Sequence, residues 1–489
     1  MSKAYIIGTG PGDEELLTLK AKRVLGECTA VLYDRLVSNN ILNYLNDECE
    51  IYYCGKEPGA HYKTQEEIND MIVALAKKGH IVGRVKGGDP YVFGRGGEEV
   101  LALQEDGIEF EVIPGVTSPI AVLNYAGIPI THRGLAQSFH IVTGMSARSL
   151  NVNFEALAKE NGTLVFMMGL SNIDYIVSEL IKYGKDKTTK AAVVMRGTSS
   201  KQRKVIGTLQ DISKKAEEAK LKSPCIIVIG EVVSLENELS WYENKPLFGK
   251  NICVTRSKSQ AKGLKVKLKN LGAEVTEINS IVIEDTSNNL DEYKDDISTY
   301  DHILLTSVNG VKIFFDYLIK EKIDIRTIKA KFSVVGKATK KALEEKGIIP
   351  FKVSREFVGE GLLNVITPYV NKGDKILIPA SAKSRTLLKD ELENLGADVT
   401  KVDIYNVLKG ELKNEKAFEE VDAILFTSPS TFENMKEMVG LDRIKEKICI
   451  AIGPITNKAI KEDGIDALVC KEHSEDGFLK EIEEMLKEV

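Results

Sequence analysis

Val85-Lys86-Gly87-Gly88-Asp89-Pro90-Tyr91-Val92-Phe93-Gly94-Arg95-Gly96-Gly97-Glu98-Glu99 is the stretch whose reading decides the fold of the N-terminal half of the chain. The apolar residues Ile81, Val82 and Val85 read as a strand, which empties into a loop with five glycines, one acid, one proline and one arginine; a helix-like run follows. Gly87 and Gly88 free the backbone to take positive φ and to approach a ligand closely, and the exposed N–H groups can line an anion- or oxygen-binding concavity. Asp89 is placed to accept from hydroxyls or ammonium. A plain strand-to-helix turn accounts for two or three of these glycines, not for five with charged residues on both sides.

The same pattern opens the chain. Ala4–Gly8 reads as a strand that ends in Gly8-Thr9-Gly10-Pro11-Gly12-Asp13, and Glu14 to Leu25 carries helix chemistry, with acids in its first turn and apolar residues at Leu16, Leu17, Ala21, Val24 and Leu25. A dinucleotide fingerprint would need a third glycine where Asp13 stands, and no P-loop lysine follows, so a nicotinamide site is not indicated. Thr29–Asp34 is the next strand and leaves Asp34 at its carboxyl end, the edge of an open α/β sheet where ligands bind. From spacing alone, Asp34 serves equally well as a cap for the turn Arg35–Ser38 or as a catalyst. Glu50–Gly55 delivers Lys56 to the same edge, and Thr64 with Glu67 forms a capping box ahead of a helix to Lys78. Phe110–Ile113 leads through Pro114-Gly115-Val116 to Thr117-Ser118, which can cap a helix through Tyr125.

Gly127–Arg133 breaks the pattern like a hinge, and a second lobe follows: strands Phe139–Thr143, Thr163–Met168, Ala191–Met195 and Cys225–Ile229, with helices Phe154–Lys159 and Asp174–Tyr183. Glu231–Lys250, which holds the single tryptophan, Trp241, is the best linker. Beyond it an internal repeat appears. Asn270-Leu-Gly-Ala-Glu-Val275 recurs as Asn394-Leu-Gly-Ala-Asp-Val399, Leu305-Thr306-Ser307 as Phe426-Thr427-Ser428, and Val335-Gly336 as Ile452-Gly453. Two similar α/β halves are implied. Thr306, Ser307, Thr427 and Ser428 fall at strand ends ahead of helices, where they can hold carboxylates or simply cap.

At 489 residues the chain is expected to form about two to four domains. Its 43% hydrophobic and 28% charged residues are ordinary for a globular protein, and a net charge of −6 without a Lys/Arg block argues against nucleic acid as a partner. The sequence shows neither an apolar run near the ~18–20 residues of a membrane span nor a signal-peptide pattern, so a cytoplasmic location is expected. The seven cysteines form no C-x-x-C pair and read as reduced, mostly buried thiols, with no metal site indicated.

Residues 3 to about 235 resemble the uroporphyrinogen-III C-methyltransferases of the tetrapyrrole methylase family, through GTGPGDEELLTLKA, VLYDRLVS, VKGGDPYVFGRGGEE, VIPGVTSPIAVLNYAGIPITHR, TLVFMMG and IVIGEVV. From about 250 onward the chain resembles the uroporphyrinogen-III synthases, through ICVTRS, LLTSVNGV, VVGKAT and KVDIYNV. The resemblance implies an α/β protein of two modules. A two-lobed methylase would span 1–240 (lobes about 1–133 and 138–235), and a two-lobed synthase 250–489 (250–284 plus 412–489, and 286–410).

It also implies S-adenosylmethionine as methyl donor and no cofactor for the synthase. The donor would lie against Gly87, Gly88 and Asp89, with Pro11, Val92, Thr117, Ser118, Met168 and Gly197 completing its pocket; by residue type alone Met168 reads as core. Asp34 corresponds to the family's proposed proton acceptor, Lys56 to its donor, and Tyr405 to the synthases' tyrosine near the departing hydroxyl. Arg35, Arg95 and Arg133 are candidates for the substrate's carboxylates, each equally readable as a surface or packing arginine. The implied partners are tetrapyrroles and a second copy of the methylase module. The rivals are a methylase of a later corrinoid precursor and a C-terminal half that binds tetrapyrrole without catalysis.

Overall fold

The computed structural model describes residues 3–46, 48–55, 63–145, 152–255, 258–354, 359–410, 412, 415–472 and 474–487. Strands β1 (Lys3–Gly8), β2 (Ala30–Tyr33), β3 (Glu50–Tyr53), β4 (Ile81–Lys86) and β5 (Glu109–Ile113) form one sheet in the order β3-β2-β4-β1-β5, with every pairing parallel. Alternate residues of a strand face opposite sides, and both sides are covered. Ala4, Ile6, Leu32 and Val82 pack with Ile68, Ile72 and Leu103 on one face, while Tyr5, Ile7, Val31 and Val85 pack with Ala21, Val24 and Ile41 on the other. The helix Gln65–Lys77 begins at the expected Thr64/Glu67 capping box. The helix expected over Glu14 to Leu25 is broken: a 3₁₀ turn, Glu14–Leu16, is capped by Asp13, and the helix proper, Leu19–Leu25, starts at a new cap, Thr18.

Strands β6 (Phe139–Thr143), β7 (Thr163–Met167), β8 (Lys190–Met195), β9 (Arg203–Thr208) and β10 (Cys225–Ile229) form the second sheet, in the order β6-β7-β10-β8-β9. Here β6 and β7 are parallel and the other pairs antiparallel. The edge strand β9 was not expected from the sequence; Arg-Lys-Val-Ile-Gly-Thr is short, polar at its start and interrupted by glycine. Nor is 231–250 an open tether. Glu231–Leu235 and Glu236–Leu239 are helical, Val232, Val233, Tyr242 and Leu247 are buried, and Trp241 donates to the Asn124 carbonyl at 3.1 Å.

β11 (Asn251–Val254) and β12 (Glu274–Glu277) begin a third sheet. The chain then builds β13 (Ile281–Asp285), β14 (His302–Leu305), β15 (Lys331–Val335), β16 (Lys352–Ser354), β17 (Lys375–Ser381) and β18 (Asp398–Lys409) before returning as β19 (Ala423–Phe426), β20 (Ile448–Ala451) and β21 (Leu468–Val469). The third sheet runs β12-β11-β19-β20-β21, all parallel, and the fourth runs β13-β18-β17-β14-β15-β16, with only β13 antiparallel to its neighbour. The repeated Asn-Leu-Gly-Ala segments play one role twice: each closes a helix, at Gly272 with φ 96° and Gly396 with φ 88°, and leads into the next strand. Two compact units result, Met1–Ile278 with Leu412–Val489, and Asn279–Glu411. No described helix is long and apolar enough to cross a membrane.

Candidate functional site

Parallel strands put their carboxyl ends on one edge, so Thr9–Asp13, Asp34, Gly87–Asp89 and Pro114–Ser118 gather there. Three glycine backbones seal the floor. Gly10 and Gly88 bridge by N–H···O bonds of 3.2 and 2.6 Å, and a Cβ at Gly115 would run into the Gly88 carbonyl oxygen. Gly88 has φ 69°, and a Cβ built on it meets nothing nearer than the Ser118 amide at 3.8 Å, which leaves a cradle that a side chain would fill. Asp89 is a clamp: Oδ1 accepts from the Tyr91 amide at 2.9 Å and Oδ2 from the Gly115 amide at 3.1 Å, tying the two loops together. Val92, half-buried, follows in the same loop.

Asp34 is held from both sides. Its Oδ1 accepts from the Leu36 amide at 3.0 Å, the turn cap allowed by spacing, while Oδ2 accepts from the Arg84 guanidinium at 3.0 Å. Arg84 is 4% exposed; its Nε donates to Glu99 Oε1 at 2.9 Å, and that oxygen also receives Lys86 Nζ at 2.9 Å. Burial first, and the neighbouring guanidinium second, hold the Lys86 ammonium below its ordinary pKa despite Glu99. Charges buried this way are sustained only by mutual pairing; removing one partner of such a set typically costs ~3–5 kcal/mol. Arg84 and Glu99 are the members that sequence reasoning missed. The signal was present: Arg84 and Lys86 stand two apart on a strand that is otherwise apolar, hence on one face, opposite an acid in the next helix.

In the second lobe, Met167 lies opposite Ile226 and Met195 opposite Cys225, so the strand-end residues Met168 and Gly197 occupy one sheet edge. Met168 is not core: it has φ 55° and is 40% exposed. Thr198 accepts from the Asp13 amide at 3.2 Å, which brings the Gly197 loop to the Pro11 loop, and a Cβ at Gly197 would collide with Val122 in the helix behind Thr117 and Ser118. The cradle that a Cβ at Gly88 would fill, with the Ser118 amide as its nearest neighbour, leaves room for a small ligand at the carboxyl edge of the first sheet. Among the remaining expectations, Arg35, Arg95 and Arg133 are exposed; Arg95 forks onto Glu98 at 2.8 and 2.7 Å. Lys56 lies outside the described residues.

In the Asn279–Glu411 unit, Tyr405 is 5% exposed and its hydroxyl lies 2.9 Å from Ser307 Oγ. A register skip between Ala380 and Ser381 passes over Ile404 and sets Tyr405 against Ser381. Burial raises the Tyr405 pKa, with the Ser307 hydroxyl opposing. Ser307 also caps its helix through the Gly310 amide at 2.9 Å; Thr306, just before it, is half-buried. In the other unit Ser428 does likewise, accepting from the Thr431 amide at 3.3 Å, with half-buried Thr427 preceding it. The capping alternative is thus realised at both serines. Among the described residues no group of three or more His, Cys, Asp or Glu could hold a metal ion.

These are features of an α/β enzyme that binds small molecules at the carboxyl edge of its sheets. The family of Tetrapyrrole (Corrin/Porphyrin) Methylases matches residues 3–213, and Uroporphyrinogen-III synthase HemD matches 262–480. A porphyrin biosynthesis protein HemD of Ruminiclostridium josui is 38% identical over 98% of this chain and 97% of its own. An S-adenosyl-L-methionine-dependent uroporphyrinogen III methyltransferase of Methanosarcina barkeri is 47% identical over 48% of this chain and 94% of its own. A solved uroporphyrin-III C-methyl transferase of Thermus thermophilus, complexed with S-adenyl homocysteine, is 40% identical over 47% of this chain and 99% of its own, with a TM-score of 0.42. The chain belongs to the tetrapyrrole methylase family over its N-terminal half, joined in one polypeptide to a member of the HemD-type uroporphyrinogen-III synthase family.

Proposed function

We propose that the chain is bifunctional: its C-terminal half cyclises hydroxymethylbilane to uroporphyrinogen III with inversion of one ring, and its N-terminal half methylates that product twice to precorrin-2, for sirohaem or cobalamin synthesis. The observation that carries this reading is the braced Asp34 carboxylate at the same sheet edge as the Gly87–Asp89 cradle, in a chain whose halves match the families of two consecutive reactions. S-adenosylmethionine would supply a methyl group on a sulfonium, held by Pro11, Gly87, Gly88, Asp89, Val92, Thr117, Ser118, Met168 and Gly197. The protein's contribution is alignment of two reactants, worth up to roughly 7–11 kcal/mol. Asp34, steadied by Arg84, takes the proton that the ring system must lose after methylation, assistance worth ~10²–10⁴-fold, and Lys56 serves as proton donor. Arg35, Arg95 and Arg133 meet the substrate's carboxylates.

In the synthase module Tyr405 attends the departing hydroxyl with Ser307 at its side, while Thr306 and Thr427, each next to a capping serine, hold carboxylates; positioning carries the reaction and no cofactor takes part. The methylase module forms a homodimer, and the protein works in the cytoplasm. Supplying purified protein with uroporphyrinogen III and S-adenosylmethionine tests the methylase assignment: a product carrying two added methyl groups is expected, and an unmethylated tetrapyrrole rejects it.

A further inference from the structure

Within the larger unit, the lobe built on β11, β12 and β19–β21 accepts the Asn40 side-chain amide at the Val275 carbonyl, 2.6 Å, and grips two loops of the methylase half. The first is the Gly10–Asp13 loop. Asp13 is a hub: its amide donates to Thr198 Oγ1 at 3.2 Å, Oδ2 accepts from the Tyr125 hydroxyl at 2.9 Å, and Oδ1 accepts from the Glu15 amide at 3.0 Å and from Lys269 Nζ at 2.8 Å. Lys269 belongs to the C-terminal lobe. It also lies 3.2 Å from Glu14 Oε1, which Lys265 of the same lobe approaches to 2.7 Å. Burial works against the Asp13 carboxylate, yet Lys269, the Glu15 amide and Tyr125 outweigh it and hold its pKa below the usual carboxylate range.

The second grip is on the loop around Gly197. Arg196 and Thr198 both have positive φ, 45° and 68°, conformations that side-chain-bearing residues keep only when their surroundings impose them. The Arg196 guanidinium forks onto the Glu420 carboxylate at 2.7 and 2.8 Å, and the Ser200 amide and hydroxyl donate to Glu274 Oε2 at 2.8 and 2.7 Å. Glu420 and Glu274 both come from the C-terminal lobe. That lobe therefore holds one loop from each lobe of the methylase, and these loops carry Pro11 and Gly197.

We propose that the C-terminal lobe is a positioning element of the methyl-donor pocket, with Lys269 and Glu420 holding the Gly10–Asp13 and Arg196–Ser200 loops in the geometry that binds the donor. The inference rests on the donor site proposed above. Its consequence is linkage: whatever loosens the lobe weakens the donor, and the donor in turn tightens the lobe by the same factor.

The test is calorimetric titration of S-adenosylhomocysteine into the full chain. Glu420→Arg, a change at a half-exposed position, is expected to raise the dissociation constant about tenfold, within the ~5–150-fold range of linked sites. The swap Arg196→Glu with Glu420→Arg is expected to recover most of it, which a general loss of stability would not do. Lys269→Met is expected to weaken binding as well, and its folding is checked by circular dichroism so that Glu420→Arg decides if it fails to fold. Wild-type affinity in folded Glu420→Arg overturns the inference and leaves the donor site standing. A wild-type chain that binds no S-adenosylhomocysteine overturns the donor site and the inference together.

Discussion

Asp34 has one oxygen on a backbone amide and the other on a guanidinium that is itself anchored by buried Glu99, so its side chain is fixed without being consumed. Asp34→Ala is expected to slow methyl transfer by ~10²–10⁴-fold while S-adenosylhomocysteine binding stays unchanged. Unchanged turnover would reduce Asp34 to a turn cap. Tyr405→Phe removes the hydroxyl beside Ser307 and is expected to slow ring closure about tenfold, the scale of a ~1.5 kcal/mol hydrogen bond, with methylation untouched. Wild-type rates in both assays would end the tyrosine's role. The placement of Asp34 at a strand end was legible because an acid closing an apolar run is conspicuous in sequence. Arg84 and Glu99 left only an indirect signal, two charges two apart on an apolar strand with an acid in the following helix, and the contact that gives them meaning is made in the fold. Asp89 was legible as a loop acid but not as a clamp, because its two amide partners sit 2 and 26 residues away.

At the scale of elements, the glycine loops decide whether the sheet edge can form. A methyl group at Gly115 points at the Gly88 carbonyl and lies 2.7 Å from Gly8 C, so the backbones of three strand ends would have to part. Gly115→Ala is expected to cost ~1–3 kcal/mol of stability and to weaken S-adenosylhomocysteine binding; Gly97→Ala, with no neighbouring atom within 4 Å, is expected to be neutral or slightly stabilising. Equal melting temperatures for the two variants would show that the close approach is unimportant. Strands buried on both faces, such as Ala30–Tyr33 and Cys225–Ile229, were readable as continuous apolar runs. β9 was not, because a half-exposed edge strand with a lysine and a glycine lacks such a run, and Thr18 was hidden as a cap inside a stretch whose apolar spacing looked continuous.

For the whole molecule, the motifs of both halves made the family legible, and the long match to the Ruminiclostridium relative agrees with them. What the sequence concealed is how far the linker segment 231–250 is packed: Tyr242 and Leu247 are buried and Trp241 and Tyr242 pack around Tyr125. The cysteines carry a global prediction. All seven are free, six of them buried, and burial pushes the thiols of Cys28, Cys225, Cys449 and Cys470 up to about 12. Because the native pKa values are raised, the stability they contribute is fully present below the unfolded value of ~8.5 and is lost as pH climbs toward the folded one. A thiol reagent at pH 8 is therefore expected to modify Cys49 first and the buried six only on unfolding; rapid modification of all seven in the native protein would contradict this. The most direct measurement supplies the intact chain with hydroxymethylbilane and S-adenosylmethionine together and determines the isomer and methyl count of the product. A type III skeleton with two added methyl groups is expected, whereas the type I isomer, or a product without methyl groups, would contradict the assignment of two successive activities to one chain.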